Sequence, residues 1–278
     1  LLLVNAVENG RNGLMQDSVS FWNHQSARFA EAAQNPLSFY ARRTALVAEL
    51  VARHARAGRT IDVGCGAGQL CLDLARRGFD VYGVDVSGPQ IAAAVRNADG
   101  VLEAPEQHFR VCEADAIPFA GPFQTMTAIG VLPYMEDHAA FVARAAGHLA
   151  AGGLLVMSIT NNLSLFTLIA LMRHLRDFQP SRAWLTVFGN LARTGVWSGG
   201  FVGRRTTIRC RNARALKRLC QASGLVSVAA VDLYNVGWGN CDRSPLARGI
   251  ARRLLARVFG WCHIGIFRVG DIDHARKN

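Results

Sequence analysis

The apolar positions of this chain change period several times, and each change marks an element. Residues 1–58 read as a helical cap. The aromatic pairs Phe21-Trp22 and Phe39-Tyr40 lie on either side of Pro36, and Leu46, Val47, Leu50 and Val51 set a 3.6-residue stripe on a helix over about 40–57. The pattern then shortens to that of strands, predicted over 59–63, 81–84, 109–112, 123–130 and 154–159. Between them the helical period returns over 69–77, stopped by Gly78, over 89–97, with Pro89 in the first turn, and over 139–149, stopped by Gly152-Gly153. Alternation at these lengths predicts a parallel sheet covered by helices on both faces. The fifth strand, Leu154 to Ile159, is apolar enough to be buried on both sides.

After Thr160 the rhythm breaks. Residues 161–208 predict one or two helices (163–176 and 181–193) followed by a Gly-rich loop from Trp197 to Phe201. The alternation resumes with a helix over 213–223, stopped by Gly224, and a strand over 226–233. An insertion over 235–260 precedes a last strand over 263–269. Four parts are expected: a cap (1–58), an α/β core (59–160), a helical lid insertion (161–208) and a C-terminal completion of the sheet (209–278).

Composition narrows the class. The chain has 278 residues, 50% of them hydrophobic and 18% charged, enough for one α/β domain with insertions. The longest apolar run, 163–172, is interrupted by Ser164 and Thr167, and Leu1-Leu2-Leu3-Val4 lacks a basic leader, so a cytoplasmic location is expected. Seven cysteines contain no CxxC pair, which predicts reduced thiols, no disulfide framework and no metal site.

Charge is uneven along the chain. Residues 1–160 hold 12 Arg and no Lys against 15 acids, whereas 161–278 hold 19 Lys and Arg against 5 acids. The basic half is expected to face something anionic: a substrate, a carrier protein, a membrane surface to which the chain is peripheral, or nucleic acid; the alternative is a set of solvated helix faces. Residues 244–259 sharpen both options. Leu246, Ile250, Leu254 and Val258 form a stripe, with Arg248, Arg252, Arg253 and Arg257 interspersed.

The candidate chemistry gathers at strand ends, where doubly wound sheets bind ligands. Gly64-Cys65-Gly66-Ala67-Gly68 joins the first strand to its helix, and its glycines let backbone approach a ligand closely. Asp85, 21 residues after Gly64, ends the second strand and can accept the hydroxyls of a ribose. Asp115, after the third, can accept an adenine amino group. The spacing G-x-G-x-G is one residue shorter than the dinucleotide fingerprint G-x-G-x-x-G. The preceding Asp62 would repel a pyrophosphate but can help order a sulfonium amino acid.

These residues resemble the motifs of class I methyltransferases. Ile61 to Gly68 is similar to their motif I, Val84-Asp85-Val86-Ser87 to their ribose-binding acidic motif, and Glu113-Ala114-Asp115-Ala116-Ile117-Pro118-Phe119 to their adenine-binding stretch. Ile129-Gly130-Val131-Leu132-Pro133-Tyr134 resembles the motif after the fourth strand, and Leu149 to Leu154 the turn before the fifth. The resemblance implies a Rossmann-like, doubly wound, seven-stranded sheet, mostly parallel with an antiparallel last strand. It implies S-adenosylmethionine as methyl donor and S-adenosylhomocysteine as product. The implied cofactor residues are Tyr40, Asp62, Gly64, Cys65, Gly66, Gly68, Asp85, Val86, Asp115, Ala116 and Ile129. Two positions depart from the family pattern: Tyr134 stands where many small-molecule members carry His, and Ala151 replaces a Pro.

The acceptor is expected to be a hydrophobic small molecule methylated at oxygen, in specialised-metabolite, lipid or quinone biosynthesis. Leu165, Phe166, Leu168, Ile169, Leu171 and Met172, with Trp184, Phe188, Trp197 and Phe201, give the insertion a wide apolar surface for such a ligand, or for packing onto the sheet. His24 in the cap and His174 in the insertion are the candidate bases, whereas His108, His138 and His148 read as structural. Alternatives are N-methylation of a small molecule, or an RNA-directed enzyme using the basic half. The latter is disfavoured because its arginines are not interleaved with a recognised RNA-binding module.

Overall fold

The stripe preceding the first strand forms helix α1, Phe39–His54. Ser38 caps it, its Oγ accepting from the Ala41 N–H at 3.0 Å. Val47, Ala48, Leu50 and Val51 form its buried face, and Arg53 lies in its last turn, where a cation complements the helix dipole. The structure, a computed structural model, describes residues 19–20, 22–24, 26, 35, 38–161, 197–200, 207–234 and 260–270.

From Arg59 the alternating units follow one another: β1 (Arg59–Val63), α2 (Gln69–Ala75), β2 (Asp80–Asp85), α3 (Gly88–Ala98), a one-turn helix α4 (Pro105–His108), β3 (Phe109–Val111), β4 (Phe123–Ala128), a 3₁₀ turn (Leu132–Tyr134), α5 (His138–His148) and β5 (Leu149–Thr160). After them come β6 (Trp197–Gly200), β7 (Thr207–Cys210), α6 (Ala213–Ala222), β8 (Leu225–Tyr234) and β9 (Gly260–Val269). Seven strands make one sheet in the order β3-β2-β1-β4-β5-β9-β8. β1 pairs in parallel with both β2 and β4, and β9 runs antiparallel to both β5 and β8. This is the expected doubly wound sheet with its antiparallel last strand. Chain order reverses between β1 and β4, which opens a crevice beyond their carboxyl ends.

Both faces of the sheet are covered. On one, Val47 and Val51 of α1 join Leu70 and Leu74 of α2, Ala94 of α3, and Leu154 and Val156 of β5. On the other, Phe141 of α5 and Leu216 of α6 meet Ile61, Val63, Met126, Leu155 and Met157. Successive residues of β5 therefore serve opposite cores, which is why that strand is apolar without alternation.

Three features differ from expectation. β5 begins at Leu149, not Leu154: Phe123 pairs with Leu149 and Thr125 with Leu154, so the register shifts by a bulge over 150–153 within the strand. Arg268 of β9 fastens that bulge, donating to the Gly152 carbonyl at 2.9 Å and to the His54 carbonyl at 2.8 Å. Second, Trp197–Gly200 is a strand rather than part of a loop, paired antiparallel with Thr207–Cys210. Two adjacent glycines signal a loop locally, but pairing with a β-branched partner strand overrides that signal. Third, α4 and the 3₁₀ turn are too short to leave a periodic signature. The helices predicted over 163–176 and 181–193, the basic helix over 244–259 and His174 lie outside the described residues.

Candidate functional site

The glycine loop is fastened to the end of β2 by its own backbone. The Val84 carbonyl accepts from both the Gly64 N–H (2.7 Å) and the Cys65 N–H (3.0 Å). The Asp85 carboxylate continues the arrangement, with Oδ2 accepting from Gly66 N–H and Oδ1 from Ser87 N–H, each at 2.9 Å. Asn97 of α3 braces the far side, donating to the Ala67 carbonyl at 3.0 Å. Gly64 admits no other residue comfortably. Its φ is +72°, and a Cβ there would stand 2.3 Å from Val131 Cγ2. Gly66 and Gly68 also have positive φ, and Gly68 caps α2.

Cys65 is buried, with its thiol against β2, where a Cβ on Gly83 would come within 2.8 Å of Sγ. Burial pushes its pKa well up, so the thiol stays neutral and contributes shape rather than nucleophilic sulfur. Burial also raises the Asp85 pKa, opposed by the N–H groups of Ser87, Gly66 and Val86.

Asp62 lies deeper, only 4% exposed, on β1. Its Oδ1 accepts the Thr127 hydroxyl of β4 at 2.6 Å. Burial pushes its carboxyl up to about 7; the Thr127 hydrogen bond opposes this, the charge of Asp85 adds to it, and that of Arg43 again opposes it. Arg43 is the residue that pattern reasoning missed. From α1 its guanidinium lies over the rings of Phe39 (5.6 Å) and Tyr40 (5.4 Å). A Cβ on Gly130, just beyond β4, would meet its Nη1 at 3.2 Å. Its Nε is buried without a hydrogen-bond partner. One signal could have found it: Arg43 follows Tyr40 by three residues and so shares its helix face.

The crevice thus brings together Tyr40, Arg43, Asp62, Gly64, Cys65, Gly66, Gly68, Asp85 and Val86. Ile129, half-buried, follows the last residue of β4. The loop after β3 begins beside Asp85, whose carbonyl accepts the Cys112 N–H at 3.0 Å. Further along, Asp115 and Ala116 are exposed, and Asp115 pairs with Arg144 at 3.5 Å. The N-terminal segment crosses the rim. Asn23 Oδ1 accepts the Ser87 hydroxyl at 2.8 Å, and Trp22 stands edge-on to Tyr134 at 4.8 Å between centroids. His24, in the same segment, is exposed. His138 is buried, and its Nδ1 accepts from Arg211 Nε at 2.5 Å. The His108 Nδ1 bonds the Val81 carbonyl at 2.7 Å. Both of these histidines are held in structural contacts.

An anion-seeking guanidinium and a buried carboxyl in one crevice, with a second acid at the next strand tip, suit a zwitterionic amino acid joined to a nucleoside. A family model described as a methyltransferase domain matches residues 29–230. The ubiquinone biosynthesis O-methyltransferase of Bradyrhizobium diazoefficiens is 38% identical over 103 residues, 37% of this chain and 40% of that one. The protein of the same name from Psychrobacter cryohalolentis is 35% identical over 105 residues, 37% of this chain and 41% of its own. The matched part thus spans about two fifths of those relatives' length. Among solved structures, magnesium protoporphyrin IX methyltransferase of Synechocystis PCC 6803 with bound S-adenosylhomocysteine superposes with a TM-score of 0.59 at 18% identity, over 91% of this chain and 98% of that one. The 1,6-didemethyltoxoflavin-N1-methyltransferase of Burkholderia thailandensis gives 0.63 at 12% identity, over 95% of this chain and 90% of that one. With the fold, the glycine loop and a family match over most of its length, this chain belongs to the class I, S-adenosylmethionine-dependent methyltransferases.

Proposed function

We propose that this chain methylates an oxygen of a hydrophobic small molecule, of the kind met in quinone biosynthesis, with S-adenosylmethionine as donor. The observation that carries the cofactor assignment is the placement of the Arg43 guanidinium beside Gly130, just beyond β4, and of the buried Asp62 carboxyl on the neighbouring β1. The buried, unpartnered Nε of Arg43 fits the methionine end of that cofactor, and Gly66, where an added Cβ would meet only Gln90 Oε1 at 3.9 Å, leaves room beside it. Arg43 takes its carboxylate and Asp62 its ammonium. Asp85 keeps lone pairs for the ribose hydroxyls while holding Gly66 and Ser87. Asp115, now paired with Arg144, would accept the adenine amino group, and Ala116 and Val86 would line the base. Tyr40 and Ile129 flank the site.

When bound, the cofactor supplies a methyl carbon already activated on a sulfonium sulfur. The protein's task is to align the acceptor and exclude water, for which the Trp22–Tyr134 contact on the rim is placed. His24 and His174 are the proposed bases for the acceptor hydroxyl's proton. The oxygen acceptor is supported by the names of the curated relatives over the matched two fifths. An anionic carrier protein or membrane surface remains the proposed partner of the basic half, to which the exposed Arg214, Lys217 and Arg218 on α6 contribute. Among the described residues no helix is long and apolar enough to cross a membrane.

Calorimetric titration with S-adenosylhomocysteine, on the wild type and on Asp85→Ala, tests the cofactor site. Binding by the wild type and its loss in the variant is expected, and no binding by the wild type refutes the assignment. Mass spectrometry after incubation with catechol-type quinone precursors tests the acceptor: the gain of one CH₂ on a ring oxygen is expected. Methylation confined to nitrogen substrates would overturn the oxygen assignment.

A further inference from the structure

Asp62 and Thr127 face each other by register. β1 and β4 pair in parallel with Asp62 opposite Thr127, flanked by Ile61 opposite Met126 and Val63 opposite Ala128. Side chains of register partners share a face, so the apolar pairs enter one core while Asp62 and Thr127 lie together on the other side. Thr127 is fully buried. Packing alone would be served there by valine, which has the same shape.

The hydroxyl has one proton and two neighbours. Asp62 Oδ1 is at 2.6 Å, and the Ile61 carbonyl is at 3.5 Å, the outer limit of a hydrogen bond. The proton therefore goes to Asp62. A separation of about 2.6 Å is at the short end for a hydroxyl donor and lies in the range of charge-assisted bonds, so it suits a carboxylate acceptor. Thr125, two residues earlier on β4, provides an internal contrast: it is equally buried, and its hydroxyl has no hydrogen-bond partner.

We propose that Thr127 is a positioning residue for cofactor binding, its hydroxyl holding the buried Asp62 carboxylate as an oriented anion for the cofactor's ammonium. The inference rests on the cofactor site proposed above and adds a residue to it. The charged and titratable groups around Asp62 show why such a hydroxyl is needed. Asp85 on β2 opposes ionisation, and Arg43 on α1 favours it. Cys65 in the glycine loop and Cys71 on α2 are buried thiols held neutral by desolvation. Arg43 is also the residue assigned to the cofactor's carboxylate. Once its charge is shared in that way, the Thr127 hydroxyl is, among the described residues, the side chain that still favours the Asp62 anion that receives the ammonium.

The test is calorimetric titration with S-adenosylhomocysteine between pH 5.5 and 9, in two buffers of different ionisation enthalpy, on wild type, Thr127→Val, Thr127→Ser and Thr125→Val. In the wild type, affinity should rise with pH to a plateau, and binding near neutrality should release a fraction of a proton. Losing one hydrogen bond to a charged group should move the midpoint up by about one pH unit in Thr127→Val, lowering affinity about tenfold below the plateau. More protons should be released at pH 7, because more of the free protein then carries the proton on Asp62. Thr127→Ser should restore both values, and Thr125→Val should leave them unchanged. If the valine variant does not fold, Thr127→Ala is expected to give the same shift. A midpoint and proton release equal to wild type in a folded variant lacking the hydroxyl overturn the role of Thr127. Failure of the wild type to bind at any pH overturns the site itself, so the two failures are distinguishable.

Discussion

Gly64→Ala should damage the protein in two separable ways. The backbone at Gly64 has φ +72°, and an L-residue in that region costs about 1 kcal/mol or somewhat more. The added Cβ would also stand 2.3 Å from Val131 Cγ2, well inside contact distance, and relieving such overpacking costs about 1–3 kcal/mol. Together about 2–4 kcal/mol of folding stability should be lost. The second term should vanish when Val131 is trimmed. Val131 is only half-buried, so Val131→Ala alone should cost no more than about 1 kcal/mol. In the double variant the alanine at 64 should then add only its backbone cost. Urea unfolding of the four proteins gives the cycle, with an expected coupling of about 1–3 kcal/mol. S-adenosylhomocysteine titration of the double variant reports whether the loop still admits the cofactor. Stability of Gly64→Ala within about 0.5 kcal/mol of wild type, or additive single variants, would refute both the clash and the account of why glycine stands there.

Other expectations follow from the crevice. Arg43→Met keeps the stem over Phe39 and Tyr40 but removes the charge. Cofactor affinity, read by calorimetry, should fall roughly 10- to 100-fold, the value of one or two charged hydrogen bonds; unchanged affinity would remove Arg43 from the site. Asp62 also predicts a pH dependence of the empty protein. Burial lifts its carboxyl from 3.8 to about 7, so between those values the folded state binds the extra proton and stability falls as pH rises. The loss is roughly 4 kcal/mol at most by pH 8. Asp62→Asn should flatten that part of the stability profile in chemical denaturation, and an unchanged slope would place the titration elsewhere.

What pattern reasoning could see was local in sequence. The loop from Gly64 to Gly68 and Asp85 were legible because spacing along one βαβ unit fixes their relation in space, and the structure joins them by the Gly66–Asp85 hydrogen bond. Asp62 was legible as a position but not as an environment. The two groups that favour its anion come from Arg43, upstream on α1, and Thr127, 65 residues downstream on β4. Neither distance carries a periodic signal. The β6–β7 pair was missed for the same reason, since a partner strand must be known before Gly199-Gly200 can be read as strand. Asp115 was placed correctly at the strand-3 loop, but its ion pair with Arg144 depends on where α5 packs.

The position of β9 sets the order in which the sheet can be completed. It lies between β5 and β8, although both precede it in the chain. While the polypeptide is being made, β5, the strand committed to two cores, has an open hydrogen-bonding edge until a segment about a hundred residues later arrives. β8 cannot join the sheet on its own, because among the described residues its sole neighbour there is β9. A nascent chain ending before Gly260 therefore carries an apolar, unpaired edge of the kind that recruits other chains. Closure of the sheet therefore waits for β9 to be made, and variants that weaken β9 should lower the yield of folded protein more than the stability of what does fold.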